Sequence, residues 1–264
     1  MAEEEAAGRL SSRVAIVTGG GRGLGRAMAL GLAQAGALVV ATAAREIAEL
    51  EAVAAEAPDG RVIPVLADVT RLEDCALVVR TAREAGGRLD VVVNNAGRGM
   101  RYVSERFMTE PTRFWETDPD VWRMVIDTNV NGPFLMARIC APLMVTAGWG
   151  RIVNITMNRS TMRRAGFSPY GPSKAALEAA TAIWAQDLMG TGVTVNALLP
   201  GGATLTGMIP PTVDESVRAQ LLDPAVIVPP LLWLVSEASD GVTGMRFDAT
   251  RWRGEAPRAC GEEV

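Results

Sequence analysis

Short runs of apolar, β-branched residues alternate along the chain with longer segments rich in alanine and leucine. The runs are Val14–Val17, Leu38–Thr42, Arg61–Ala67, Val91–Asn94, Arg151–Thr156, Val193–Leu199 and, more weakly, Met245–Asp248. Most are apolar at successive positions instead of alternate ones, the pattern of strands buried on both faces of a parallel sheet. Between them, Leu24–Ala35, Glu46–Ala57, Leu72–Ala85 and Val121–Ala147 read as helices. Another helix opens at Ser173-Lys174-Ala175, with Pro172 suited to a first helical turn. This rhythm predicts an α/β fold, a doubly wound parallel sheet of about seven strands with helices on both faces. No repeat and no Pro/Gly/Ser linker divides the 264 residues, so one domain is expected, with tails at 1–10 and 250–264.

Two stretches break the rhythm. Arg98–Pro119 follows the fourth strand and Gly201–Asp223 the sixth. Both leave strand C-termini, the edge where open α/β sheets bind ligands, so both are expected to form pocket walls. Phe107, Phe114, Trp115, Met157, Met162, Met208 and Ile209 lie in or beside these walls. They favour an apolar cyclic or aromatic substrate over a sugar phosphate. Arg98, Arg101, Arg106 and Arg113 read either as a binding site for an anionic tail or as a solvated charged loop.

Composition narrows the function classes. The formal net charge of −4 argues against a nucleic-acid partner, which wants a basic surface. Absence of histidine removes Ser-His-Asp and Cys-His catalysis and every His-based metal site; no metal is expected. Cys75, Cys140 and Cys260 lie far apart and read as free thiols. Glu3, Glu4 and Glu5 stand where a signal peptide carries positive charge, and Ala225–Val235 is interrupted by Pro229 and Pro230. The expectation is a cytoplasmic protein without a membrane partner.

Directly after the first strand comes Thr18-Gly19-Gly20-Gly21-Arg22-Gly23-Leu24-Gly25, opening into a helix. Glycines there let the backbone turn tightly and approach a pyrophosphate, which rests against the helix N-terminus. Gly19, Gly21, Arg22, Gly23, Leu24 and Gly25 are the candidate cradle. The second strand ends Ala41-Thr42-Ala43-Ala44-Arg45, without the acid that commonly meets a ribose 2′-hydroxyl in NAD sites. Arg45 together with Arg22 suits a 2′-phosphate, which points to NADP(H); the bland alternative is a solvated helix start.

The chemistry concentrates at Tyr170 and Lys174. Lys174 is the single lysine among 26 basic residues, and Tyr170 is one of two tyrosines. On a helix they share a face at i and i+4. A nearby ammonium favours phenolate and lowers the tyrosine pKa from about 10 towards working pH. Tyr170 then gives a proton to a carbonyl oxygen, or takes it back in reverse.

Thr18-Gly19-x-x-x-Gly23-x-Gly25, Asn94-Asn95-Ala96-Gly97, Asn129, Tyr170-x-x-x-Lys174 and Pro200-Gly201 occur in that order. Together they resemble the single-domain branch of the short-chain dehydrogenase/reductase family over about residues 10 to 250, most of all its NADP-dependent carbonyl and 3-oxoacyl reductases. The resemblance implies a Rossmann-type fold and a homotetramer or homodimer. It implies that Lys174 also holds the nicotinamide ribose and that Asn129 passes protons through water to Lys174. It places Asn95, Ala96, Gly97 and Tyr170 along the cofactor and Asp68 and Val69 at the adenine. Pro200-Gly201 falls near the nicotinamide, with Thr204 and Thr206 competing for its carboxamide. One departure stands out. The family places serine thirteen residues before the tyrosine, where this chain has Met157, whose thioether donates no hydrogen bond.

Three consequences stay open. Thr156, Asn158 or Ser160 supplies a substitute donor, Asn158 first because its amide N–H₂ donates. Or the substrate is an imine that needs less oxyanion help. Or the chain is an NADPH-binding sensor with little turnover. The leading expectation is an NADP(H)-dependent oxidoreductase that moves hydride to a ketone or imine carbon. A purely structural oligomer component is disfavoured by the intact glycine turn and Tyr-Lys pair.

Overall fold

The computed structural model describes residues 10–58, 60–210 and 213–254. Seven parallel strands form one sheet in the order β3-β2-β1-β4-β5-β6-β7. They are β1 (Val14–Val17), β2 (Leu38–Ala43), β3 (Val62–Leu66), β4 (Val91–Asn94), β5 (Gly150–Ile155), β6 (Val193–Leu199) and β7 (Arg246–Asp248). Pro64, which cannot donate to a ladder, falls in β3 at the sheet edge, where that loss is tolerated.

Successive strand side chains feed opposite faces, which explains runs apolar at every position. Ala15, Val17, Val39, Ala41, Val91, Val93, Val153 and Ile155 enter one core cluster. It is covered by α1 (Gly23–Gln34), α2 (Ile47–Glu56) and, late in the chain, the helix Val228–Leu234. Val14, Ile16, Val40, Val92, Ile152 and Val195 enter the other. Helix α3 (Leu72–Gly86), with Cys75 and Val78, covers this second face together with a long helix that contributes Met136 and Cys140. Cys75 and Cys140 are buried free thiols, and burial raises both above the ordinary thiol range; Cys260 lies outside the described residues.

That long helix runs Pro119–Ala147, two residues earlier than its periodicity predicts, and contains a widened turn. Asp118 caps its start by accepting from the Asp120 N–H, and Pro119 suits the first turn. Its parts are α4 (Pro119–Ile126), a π turn over Asp127–Asn131 in which Gly132 N–H donates to Asp127 O, and α5 (Gly132–Ala147). By length and apolarity it passes for a membrane span; here it lies on β4, β5 and α3. Next come a short helix α6 (Arg159–Met162), then α7 (Tyr170–Asp187), a short α8 (Glu215–Arg218) and α9 (Val228–Leu234). The start of α7 precedes the expected Ser173, so Tyr170 is itself helical.

The expected tails shrink. Leu10 is buried, and Trp252 packs on Trp233 and Phe247 with ring centroids 5.2 and 6.3 Å apart. Apolar area, not chain position, sets the edge of the fold.

Strand order reverses between β1 and β4. There Thr18 Oγ1 donates to Val93 O and accepts from the N–H groups of Asn95 and Ala96, while Asn95 Nδ2 donates to Thr18 O and Gly19 O. The two loops at the switch point are thereby sewn together. Gly25 lies beneath them: a Cβ there would sit 1.9 Å from Gly19 O and 2.6 Å from Asn95 Nδ2. Gly25→Ala is therefore expected to destabilise the fold by about 3 kcal/mol, since overpacked backbone cannot yield as a side chain does. Urea unfolding checks this; an unchanged midpoint would show that the turn relaxes freely.

Candidate active site

A cavity of about 800 Å³ opens at the C-terminal edge of the sheet and spans the switch point. At its nucleotide end it is lined by Gly19, Gly21, Arg22, Gly23, Leu24, Gly25, Arg45, Asp68 and Val69. Gly19 and Gly23 adopt positive φ, 65° and 54°. Helix α1 has no side-chain cap, so its first-turn N–H groups face the cavity end without a side-chain partner. Thr42 Oγ1, from a cavity-lining residue the sequence reading missed, is buried with no hydrogen-bond partner. These features fit a bound dinucleotide.

The arginine pair expected for a 2′-phosphate has company. Arg22 Nη1 lies 3.4 Å from Glu49 Oε1, and Glu46 and Glu49 both line the cavity beside Arg45. Helix α2 brings Glu49 back over the glycine turn, an approach invisible in linear spacing. Asp68 Oδ1 accepts from the Thr70 N–H and hydroxyl, which fixes the loop after β3.

Asn95, Ala96, Gly97, Pro200, Gly201, Thr204 and Thr206 line the middle of the cavity. Thr206 lies against Gly23, where an added Cβ would meet its Cγ2 at 2.9 Å, and its Oγ1 accepts from Met208 N. Thr204 is buried and its hydroxyl donates to Gly202 O. The competition between the two threonines thus stands with both at the wall.

At the other end Tyr170 and Lys174 share one wall. Lys174 is 3% exposed; its Nζ donates to Ile155 O at 2.7 Å and stands 6.0 Å from the Tyr170 ring centroid. Tyr170 Oη has the Met208 sulfur 4.0 Å away. The expected lowering of the phenol is reversed. Burial pushes Tyr170 up to about 12 and Lys174 down to about 8, because removal from water outweighs an ammonium engaged elsewhere.

Asn129 departs most from expectation. It is fully buried and lies behind the cavity wall. Its Oδ1 accepts from Arg98 N at 2.8 Å, and its Nδ2 donates to Arg98 O and to Ser173 Oγ, both at 2.9 Å. Both amide hydrogens are committed to this clamp, and the side chain does not line the cavity. Pro133, four residues on, has no N–H to offer its backbone carbonyl, which falls within the π turn.

The candidate donors also sort themselves. Asn158 lines the cavity, but one amide hydrogen is given to Gly201 O at 2.8 Å. Ser160 is exposed in α6 and does not line the cavity, which corrects its candidacy. Thr156 lines it, with Oγ1 buried and unpartnered. Met157 lines it too, and its carbonyl accepts from Arg246 Nη2.

Of the expected apolar walls, Phe107, Met157, Met208 and Ile209 line the cavity, joined by Met100, Tyr102, Met108 and Phe167. Phe107 and Phe167 meet edge to face at 5.9 Å. Phe114 and Trp115 do not line it: each is 67% exposed and they pack on one another. Met162 is buried behind the wall. Arg106 and Arg113 pair with Glu110 and Glu116 away from the cavity, while Arg98, Arg101 and Arg164 line it.

An open parallel sheet with a dinucleotide cradle at its switch point, and a half-buried tyrosine and a buried lysine in the same cavity, defines an α/β oxidoreductase of Rossmann type. The family model for short chain dehydrogenases matches residues 13–216, and the chain belongs to that family, whose members use a nicotinamide cofactor on small-molecule substrates. It is 37% identical over 194 residues to a 3-oxoacyl-[acyl-carrier-protein] reductase from Synechocystis, covering 73% of this chain and 74% of the relative. It is 35% identical over 252 residues, 91% of each chain, to an uncharacterised oxidoreductase of Mycobacterium tuberculosis. Among solved structures, a dehydrogenase/reductase from Sinorhizobium meliloti superposes with TM-score 0.80 at 30% identity, covering 94% of this chain and 97% of that one. A 3-ketoacyl-(acyl-carrier-protein) reductase from Brucella melitensis, complexed with NADH, superposes with TM-score 0.78 at 28% identity, covering 89% and 96%.

Proposed function

We propose that this protein is an NADP(H)-dependent reductase of a ketone, with an imine as the second substrate class. The observation that carries this reading is the placement of Tyr170 and Lys174 on one wall of the cavity that runs back to the glycine turn. When bound, the nicotinamide supplies hydride. Tyr170, with its phenol raised to about 12, holds its proton at neutral pH and delivers it to the substrate oxygen. Lys174 keeps positive charge behind it and would hold the nicotinamide ribose. Asn129 acts in the proton relay through its backbone carbonyl. Arg22 and Arg45 support a preference for the 2′-phosphate, against the pull of Glu46 and Glu49.

A second reading, an NADPH-binding sensor with little turnover, draws on Met157 standing where a donor hydroxyl is usual. Apolar Trp122, Phe134 and Ile183, exposed on α4, α5 and α7, support assembly as a homotetramer or homodimer. Buried free thiols at Cys75 and Cys140 support a reducing, cytoplasmic setting.

NADPH oxidation over a panel of ketones and imines tests the assignment; no turnover with any member, alongside tight NADPH binding, favours the sensor. The pH profile adds a signature. Lys174 titrates below its ordinary 10.5, so its cation is present below about pH 8 and lost above it. Reduction is expected to be level up to about pH 8 and to fall about tenfold per unit beyond. A rate level to pH 10 would show that the Lys174 charge is not needed.

A further inference from the structure

We propose that the substrate carries a carboxylate, held by Arg98 in the reducing half of the cavity; the inference rests on the reductase reading and narrows its substrate class. Arg98 is half-buried and lines the wall. Its backbone is gripped on both sides by the Asn129 amide. Its Nε donates to Thr128 Oγ1 at 3.1 Å, and its guanidinium lies 5.0 Å from the Tyr102 ring centroid. Backbone, Nε and guanidinium face are thus each engaged, while the two terminal nitrogens bond no side chain or carbonyl among the described residues. No carboxylate there pairs with Arg98. A guanidinium drawn partly out of water and left without an anion is poorly compensated, and its planar fork matches a carboxylate.

The same residue is tied to the reacting end. Asn129 Nδ2 reaches Ser173 Oγ, which donates to Tyr170 O. Met208 closes the gap from the other side: its sulfur stands 4.0 Å from Tyr170 Oη and 3.1 Å from where a Gly99 Cβ would be, next to Arg98. Charge agrees with this. Among cavity-lining residues at this end, Arg98, Arg101, Arg164 and Lys174 face Glu105 alone, and Glu105 is spent on Arg101. With Phe107, Phe167, Met157 and Met208 lining the same cavity, the preferred substrate is an oxo acid with an apolar or aromatic body.

Benzoylformate and 4-oxo-4-phenylbutanoate, each beside its methyl ester, test this by calorimetry in the presence of NADP⁺, which permits binding without reduction. The better acid is expected to bind at least about 10-fold tighter than its ester in the parent protein, and Arg98→Gln is expected to erase that difference while ester and NADP⁺ affinities hold. Arg98→Lys, which keeps charge but not the fork, is expected to fall between. Acids binding no tighter than esters, or Arg98→Gln weakening NADP⁺ as much as acid, would overturn the proposal. So would inorganic phosphate displacing the acid at equal concentration, which marks a general anion site. Acid binding that depends on Arg98, with no reduction by NADPH, would leave the anion site standing and sink the reductase reading instead.

Discussion

Tyr170→Phe is expected to lower NADPH-dependent reduction by about 10³-fold, within the range of lost general acid catalysis, while NADPH affinity changes little. The substitution removes one oxygen and keeps the ring, so the wall that Tyr170 forms with Met208 is preserved. Among the described residues that oxygen makes no hydrogen bond other than the one to the Met208 sulfur, which leaves no buried donor orphaned by the change. The fold should therefore survive, and unfolding curves of parent and variant should coincide. Stopped-flow absorbance of NADPH under single turnover reads the chemical step, and fluorescence titration reads binding. Turnover that survives the substitution would transfer the proton-donor role elsewhere in the cavity.

Met157→Ser is the second large effect, and it runs the other way. Its direction follows from the donors around it. Ser160 lies off the cavity, Thr156 Oγ1 is buried, and Asn158 has already given one amide hydrogen to Gly201 O. A serine hydroxyl at 157 adds a donor to the cavity that Tyr170 also lines, and one oxyanion-type donor is worth about 10²-fold or more in rate. A gain of that size in kcat for a ketone is expected, with a smaller gain for an imine, whose nitrogen accepts the Tyr170 proton directly. A parent already as fast as the serine variant would show that another donor serves the site, and that Met157 shapes the pocket. A serine variant that works beside an inert parent would identify this chain as a cofactor binder with muted chemistry.

The two substitutions are informative together. Tyr170→Phe in the Met157→Ser background should return the rate to the level of Tyr170→Phe alone if the two hydroxyls act on one oxygen, since groups that act as a unit are not additive. Independent losses would place them on different atoms.

Much of this molecule was legible before any coordinates. Buried parallel strands need apolar residues at every position, so β1, β4 and β6 begin and end where the sequence runs begin and end. The glycine turn was legible because positive φ at Gly19 and Gly23, and backbone contact at Gly25, admit little else. Tyr170 and Lys174 were legible because a helix fixes i and i+4 on one face. Local geometry decides all of these, and local geometry is what linear spacing encodes. The tertiary structure alone decided the rest. Asn129 became a clamp on Arg98, Glu49 folded back over Arg22, Met208 came to cover the Tyr170 hydroxyl, and Phe114 and Trp115 turned outward. The direction of the Tyr170 and Lys174 shifts was decided there as well, because it follows from how deeply the fold removes each group from water. Each of these depends on contacts between segments far apart in the chain, carried largely by irregular loops whose paths no periodicity records.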